Sequence, residues 1–514
     1  MGYSLRASLL TTLGVLLLLT ACDTGSDEQE SLTVRVPRDL NSLDPADPAT
    51  VTDHEMIDNI FEGLVTRHPE TNEVVNELAE EFDLSDDGLS IDFVLKEGIE
   101  FHGGYGEVTA EDVKYSYERI AGLTDPPIDS PYASDWATLE EVEVHGTYSG
   151  TIRLSEQFAP LTVSTLPSTA GKVVSKEAVE ELGEDFGTNP IGSGPFEFVD
   201  WLPEQEVNLA SFEDYGGARD DFFGEILWSD IQFLIITDDS AADVAIESGE
   251  ADFGEVSTAS IDRFTEMEGI TVTEQPTVNY SWISMNTQHE NLDDRRVREA
   301  IRYAVDVPAV IEGAFDDAWD RAVAPIGPGM PLGHWEDAPE YERDLDQARQ
   351  LLDEAGVDEL ELSFTFTDTT GARSTAEIVQ DNLADVGIDV DLNHVDQATF
   401  FDIGEHLQER ELTFVMFETL LDPSWVFTWF TCDQIDVWNW MYLCDEEFDA
   451  LHEAALTEVD QDARHEMYVE MQEIWDEAAN AVWLGHPVLY FAHDADLEPV
   501  SSAEGGRFRA WAFR

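Results

Sequence analysis

The hydrophobic period changes twice between residues 345 and 392, and no other feature narrows the fold as much. Leu345, Ala348, Leu352 and Ala355 recur at helical spacing, and Gly356 is a natural helix stop. Leu360, Leu362, Phe364 and Phe366 then alternate at period two, the mark of a strand. A helix is predicted over about 372–386, and Ile388, Val390 and Leu392 alternate again. Strand, helix and strand with short connections make a βαβ unit, so the sheet here is at least partly parallel and the fold class is α/β. A helical pair is predicted near 446–456 and 461–479, followed by an apolar strand over 482–491. At 514 residues the chain is too long for one ordinary core and calls for two or three domains.

The amino terminus is a different kind of segment. Arg6 precedes a mostly apolar run over residues 9–21. A membrane-spanning helix needs about 20 such residues, so this run reads as the core of a secretion signal. It ends in Leu19-Thr20-Ala21-Cys22, which resembles a bacterial lipobox. The expectation is a signal peptide over 1–21, lipid on Cys22, and a polar tether over 22–30. The mature chain would then be extracytoplasmic, anchored to the outer face of the cytoplasmic membrane. The alternative is an ordinary secretion signal that ends near a cysteine.

Charge limits the partners. The chain carries 111 acidic residues against 25 Lys and Arg, a formal net charge of −86, and Lys96, Lys114, Lys172 and Lys176 are its only lysines. Self-repulsion on this scale opposes compaction in dilute buffer. In about 1 M salt the Debye length falls to about 3 Å and most of it is screened. The surface therefore reads as adapted to high salt. An acidic face selecting a cationic partner is the weaker reading, because the acids are spread along the whole chain. No basic stripe exists, which argues against nucleic-acid binding.

With Cys22 committed to lipid, Cys432 and Cys444 are the remaining cysteines, and in an exported protein a disulfide between them is expected. Closing so short a loop contributes about 3 kcal/mol. Two free buried thiols are the alternative. A zinc site is disfavoured because the pair lacks the short paired spacing of zinc ribbons. No nucleophile elbow, H-E-x-x-H, P-loop or dinucleotide fingerprint is present, so no catalytic residue and no cofactor is expected. His102, His394, His465 and His486 are isolated in sequence, and no metal site is expected. Aromatic residues crowd the segment after 417, including Trp425, Trp429, Trp438 and Trp440. Such density serves either core packing or a cleft walled by rigid rings.

Several blocks, in order, resemble family 5 of the extracellular solute-binding proteins, which serve peptide and nickel ABC importers. They are Leu43-Asp44-Pro45, Asn59-Ile60-Phe61-Glu62-Gly63, and Phe101-His102-Gly103 with Thr109 to Val113. Further along come Asn189-Pro190-Ile191-Gly192-Ser193-Gly194-Pro195-Phe196, Ser248-Gly249-Glu250-Ala251-Asp252, and Asp294-Arg295-Arg296-Val297-Arg298. Locally, Asp87-Gly88 signals a hairpin turn and Thr109 a helix cap. Gly192 to Pro195 forces a tight turn whose amides a ligand could approach. Arg295, Arg296 and Arg298 sit among acids and most simply pair within the protein.

The resemblance implies a two-lobed periplasmic-binding-protein-like fold of type II, with an extra subdomain and a hinge. Lobe I would span 31–277 plus 486–514, with an inserted subdomain near 73–188, and lobe II 278–485. Hinge strands are expected near 275–282 and 484–488. The implied function is capture of a small solute, a peptide or similar, for delivery to an ABC permease and ATPase, by a monomer that is not an enzyme. A sensor subunit of the same fold, and more remotely a secreted hydrolase, are the rivals. The expected ligand-contacting residues are Ser193, Gly194, Tyr280, Trp282, Glu418, Thr419, Trp425, Trp429, Trp438 and Trp440. Peptide-binding relatives hold the peptide amine with an aspartate four residues before the proline that is Pro423 here; this chain has Thr419 there. Either Glu418 takes over, or the solute has no free amine at that point. The second is the expectation carried forward: a neutral or blocked solute stacked on the tryptophans.

Overall fold

Local signals place the elements that build the second half of the chain. Asp344 caps the helix Leu345–Ala355 by accepting from the amides of Asp346 and Gln347, and Gly356 ends it at φ 78°. The strand Leu360–Thr367 follows, then the helix Thr370–Ala384, capped by Thr369, then the strand Ile388–Val395. The two strands pair in parallel over their full length, from Leu360 opposite Ile388 to Thr367 opposite Val395. The computed structural model describes residues 30–47, 50–68, 71–217, 228–367, 369–417, 419–501 and 508–513. The signal segment 1–21, Cys22, tether residues 22–29 and Glu418 lie outside the described residues.

Around this unit a sheet runs Ile388–Val395, Leu360–Thr367, Leu412–Phe417, Tyr280–Met285 and the first half of Ala481–Asp494. Its helices cover a core of Ile301, Leu352, Phe364, Val379 and Leu412, among others. A second sheet holds Glu30–Val36, which pairs in parallel with Trp228–Ile235 and with Phe253–Glu255. Glu206–Ser211 and Phe196–Leu202 extend it as antiparallel strands. Its own core centres on Leu32, Val34, Ile57, Phe61 and Phe233.

Ala481–Asp494 belongs to both sheets. Up to about Gly485 it pairs with Tyr280–Met285, at Gly485 to Pro487 with Trp319–Arg321, and from Val488 to Asp494 with Ile270–Pro276. Residues 277–279 make the second passage, between Ile270–Pro276 and Tyr280–Met285. Thr277 ties the two passages together: its amide and hydroxyl both donate to the Pro487 carbonyl. A separate antiparallel sheet, ordered Ala79–Leu84, Ser90–Leu95, Ser149–Leu154 and Leu139–Gly146, has a third core of its own. Gly88, at φ 65°, turns its first hairpin, and Thr109 with Asp112 forms a capping box on Ala110–Ile120. No helix among the described residues is long and apolar enough to cross a membrane.

Candidate functional site

In open parallel sheets ligands collect beyond the carboxyl ends of the strands, where loops leave a crevice. Both sheets present such ends to one cavity of about 760 Å³, within the range of small-molecule sites. Thr367 and Thr369 come from the end of Leu360–Thr367, and Asp396, Phe400 and Phe401 from beyond Ile388–Val395. Phe414, Met416 and Phe417 come from Leu412–Phe417. Trp429 and Trp438 close this side, and Arg38, just past Glu30–Val36, comes from the other sheet.

The aromatic wall is a stack with an inner and an outer layer. Trp438 is half-buried and lies 5.8 Å, ring to ring, from Trp429 and 6.3 Å from both Phe401 and Phe417. Behind it Trp440 is buried against Phe400, Phe401 and Phe417, its indole N–H donating to the Val437 carbonyl. Deeper still, Tyr280 and Trp282 are fully buried and stacked 5.1 Å apart, with Phe417 edge-on to both. Trp425 is half-buried beside Trp429 and is not on the cavity wall.

Three devices hold this wall. Cys432 and Cys444 form a disulfide, Cα atoms 4.6 Å apart, that closes the loop carrying Trp438 and Trp440. Within the loop, buried Asn439 donates to the carbonyls of Phe430, Thr431 and Leu443. At its base, Asp422 accepts two bonds from Arg464, 2.6 and 2.8 Å, with both side chains almost wholly buried. Burial works against the Asp422 charge, but the Arg464 charge and hydrogen bonds outweigh it and hold the carboxyl below its ordinary range. Arg410 clamps the far corner, donating to the carbonyls of Phe400 and Thr399 with its guanidinium over the Phe400 ring.

Of the residues singled out in the sequence, Trp429 and Trp438 line the cavity, and Trp440 backs it. Thr419 is half-buried and its amide donates to the Asn279 side chain, tying the segment to the passage between sheets. Ser193 and Gly194 lie elsewhere, fully enclosed: Ser193 donates to Glu62, the Gly194 amide to the Ile60 carbonyl, and Gly192 and Gly194 bracket His102. The Gly192 amide donates to His102 Nδ1, so the Nε2 proton goes to the Gly194 carbonyl. Burial pushes this imidazole down to about 4, so it is neutral. Arg295 pairs with Glu299 and Arg296 with Asp294, while Arg298 donates to the carbonyls of Leu292, Asp293 and Ala478. Arg38, Thr367, Thr369, Asp396, Phe400, Phe401 and Met416 went unnoticed in the sequence. The available signal was position, since most of them follow a strand that the alternation had located. No group of three or more acidic, His or Cys side chains able to hold a metal occurs among the described residues.

Residues 73–434 match the family described as bacterial extracellular solute-binding proteins, family 5 Middle. The chain belongs to that family. Among curated relatives, a Pseudomonas aeruginosa di/tripeptide-binding protein 3 is 26% identical, over 89% of this chain and 91% of its own. HbpA2 from Haemophilus parasuis superposes with a TM-score of 0.84 at 23% identity, covering 94% of this chain and all of that one. A dipeptide binding protein from Pseudoalteromonas sp. SM9913, solved with Met-Leu, gives a TM-score of 0.78 at 20% identity, covering 94% and 100%. This solute-binding protein therefore has the family's two-lobe fold, and its relatives are binding proteins.

Proposed function

We propose that this family 5 protein captures a small solute in the aromatic cavity and delivers it, chemically unchanged, to an ABC permease and ATPase complex. The observation that carries this reading is the convergence of strand carboxyl ends from both sheets on one cavity of about 760 Å³. Lobe I comprises 31–277 and 486–514, with the inserted subdomain near 73–188, and lobe II comprises 278–485. The change of partner along Ala481–Asp494 near Gly485 to Val488 supports a hinge there and at 277–279. Such closure encloses a solute and lets a transporter recognise the loaded form.

Two of the named relatives are a di/tripeptide-binding and a dipeptide binding protein, but Thr419 here carries no charge to hold an amine. The solute of this chain is accordingly one without a free amine at that point, stacked on Trp438 and Trp429. Lipid on Cys22 keeps the monomer at the outer face of the cytoplasmic membrane, and the acidic surface suits it to high salt. Mass spectrometry of protein purified from its own cells tests the reading. A stoichiometric, unmodified small solute is expected; turnover of that solute on incubation would contradict it. Calorimetry in high salt with di- to pentapeptides tests the amine. Micromolar binding of free-amine peptides would overturn that part.

A further inference from the structure

One charge on the cavity wall has no partner among the described residues. Arg38 is exposed, two residues past Glu30–Val36, and makes no hydrogen bond, ion pair or ring contact among the described residues. Glu255, half-buried at the end of the neighbouring strand Phe253–Glu255, feels its charge without bonding it. In a chain with 111 acids for 25 Lys and Arg, an unclaimed arginine is the exception. Arg35 pairs with Asp239, Arg119 with Asp44, and Arg302 with Asp476. Even arginines without an acid, such as Arg298 and Arg410, are bonded to backbone carbonyls.

Nor does the cavity's own acid claim it. Asp396 is the one carboxylate among the described wall residues, and it accepts from the amide and hydroxyl of Thr399. The rest of the wall is rings, a methionine and two threonines. A guanidinium offers a planar fork of donors that matches a carboxylate with two parallel bonds. An unclaimed fork facing an apolar cavity selects a solute with an anionic end and an apolar body.

Resting on the reading of the cavity as the solute site, we propose that the solute carries a carboxylate and that Arg38 binds it from lobe I. Phe401 and Trp438 hold the apolar part from lobe II. The solute thereby bridges the two lobes. The protein's own negative charge opposes an approaching anion in dilute buffer. In molar salt that field is screened to about 3 Å and the direct contact decides affinity.

Trp429 and Trp438 line the cavity, so tryptophan emission reports occupancy. The test titrates the full chain in molar salt with N-acetyl-Ala-Phe, N-acetyl-Gly-Leu and N-acetyl-Phe, each as free acid and as C-terminal amide. At least one acid should bind, its amide about tenfold to hundredfold more weakly. Arg38→Gln should weaken the acid by the same factor and leave the amide and the melting temperature unchanged. Equal binding of acid and amide by wild type, or undiminished acid binding by Arg38→Gln, overturns the inference alone. The solute released from natively purified protein is the second readout. An acid supports the inference, and a solute with no anionic group overturns it. No binding by any probe, together with no released solute, would overturn the solute-binding reading and this inference with it.

Discussion

Two dense blocks of the molecule, residues 189–196 and 417–444, are both tied down by buried hydrogen bonds, yet they face different things. Around Gly192 to Pro195 the amides and carbonyls bond to His102 and Ile60, and Ser193 bonds to Glu62, leaving nothing for a ligand to approach. Around Trp438 the chain is held by the Asn439 amide, the disulfide and the Asp422–Arg464 pair, but rings remain half-exposed on one side. The first is a knot that fixes a chain crossing; the second is a wall. A glycine-rich turn and an aromatic cluster look equally site-like in sequence. What separates them is whether they stand beyond the carboxyl ends of parallel strands.

If that contrast is right, damage to the knot costs stability and damage to the wall costs binding. The largest effect should come from Gly192→Ala, whose new methyl group would collide with the Ile60 carbonyl and crowd Phe61. Backbone cannot give way there, and a loss of more than about 4 kcal/mol is expected in denaturant melts. A loss below about 1 kcal/mol would mean the knot is loose.

Acid should loosen the same knot. His102 is pushed down to about 4 by burial, against 6.5 for a free imidazole, so the fold favours the neutral ring. Its contribution is complete above pH 6.5 and is lost as the pH falls toward 4. Between pH 6.5 and 5 this amounts to about 2 kcal/mol, measured by chemical denaturation in constant high salt. His452, also pushed down to about 4 by burial, adds a similar slope. His102→Asn should therefore remove its own share, about 2 kcal/mol, of the stability lost between pH 6.5 and 5. An unchanged slope would show that the fold does not favour the neutral His102 ring.

The smallest stability effect belongs to the wall. Trp438→Ala removes a half-exposed ring and should cost about 1 kcal/mol in folding, while weakening solute binding at least about tenfold, as truncation of a central aromatic anchor does. A mutant that binds normally would move the solute elsewhere.

The βαβ unit was legible because its alternation and helical spacing are strong over residues 345–392 and the stop before its first strand, Gly356, is chemical. The helices Glu446–Thr457 and Gln461–Ala478 and the strand Ala481–Asp494 were legible for the same reason. Within the aromatic block, however, composition alone could not separate Trp438 on the surface of the wall from Trp282 behind it. That depends on which strand end each side chain meets, a long-range fact. Arg38 was invisible for a related reason: an arginine is informative here only when its neighbours fail to pair with it. Ser193 and Gly194 were expected at the ligand because a tight turn exposes amides, but the Gly192 and Gly194 amides are taken by His102 and Ile60 and the Ser193 hydroxyl by Glu62.

The most direct test of the account is a crystal structure of the natively purified protein with its solute retained. The solute should lie between the two sheets, with Arg38 on one side and Phe401 and Trp438 on the other, all within about 4 Å. A solute seated against Gly192 to Gly194, or touching only one lobe, would contradict it.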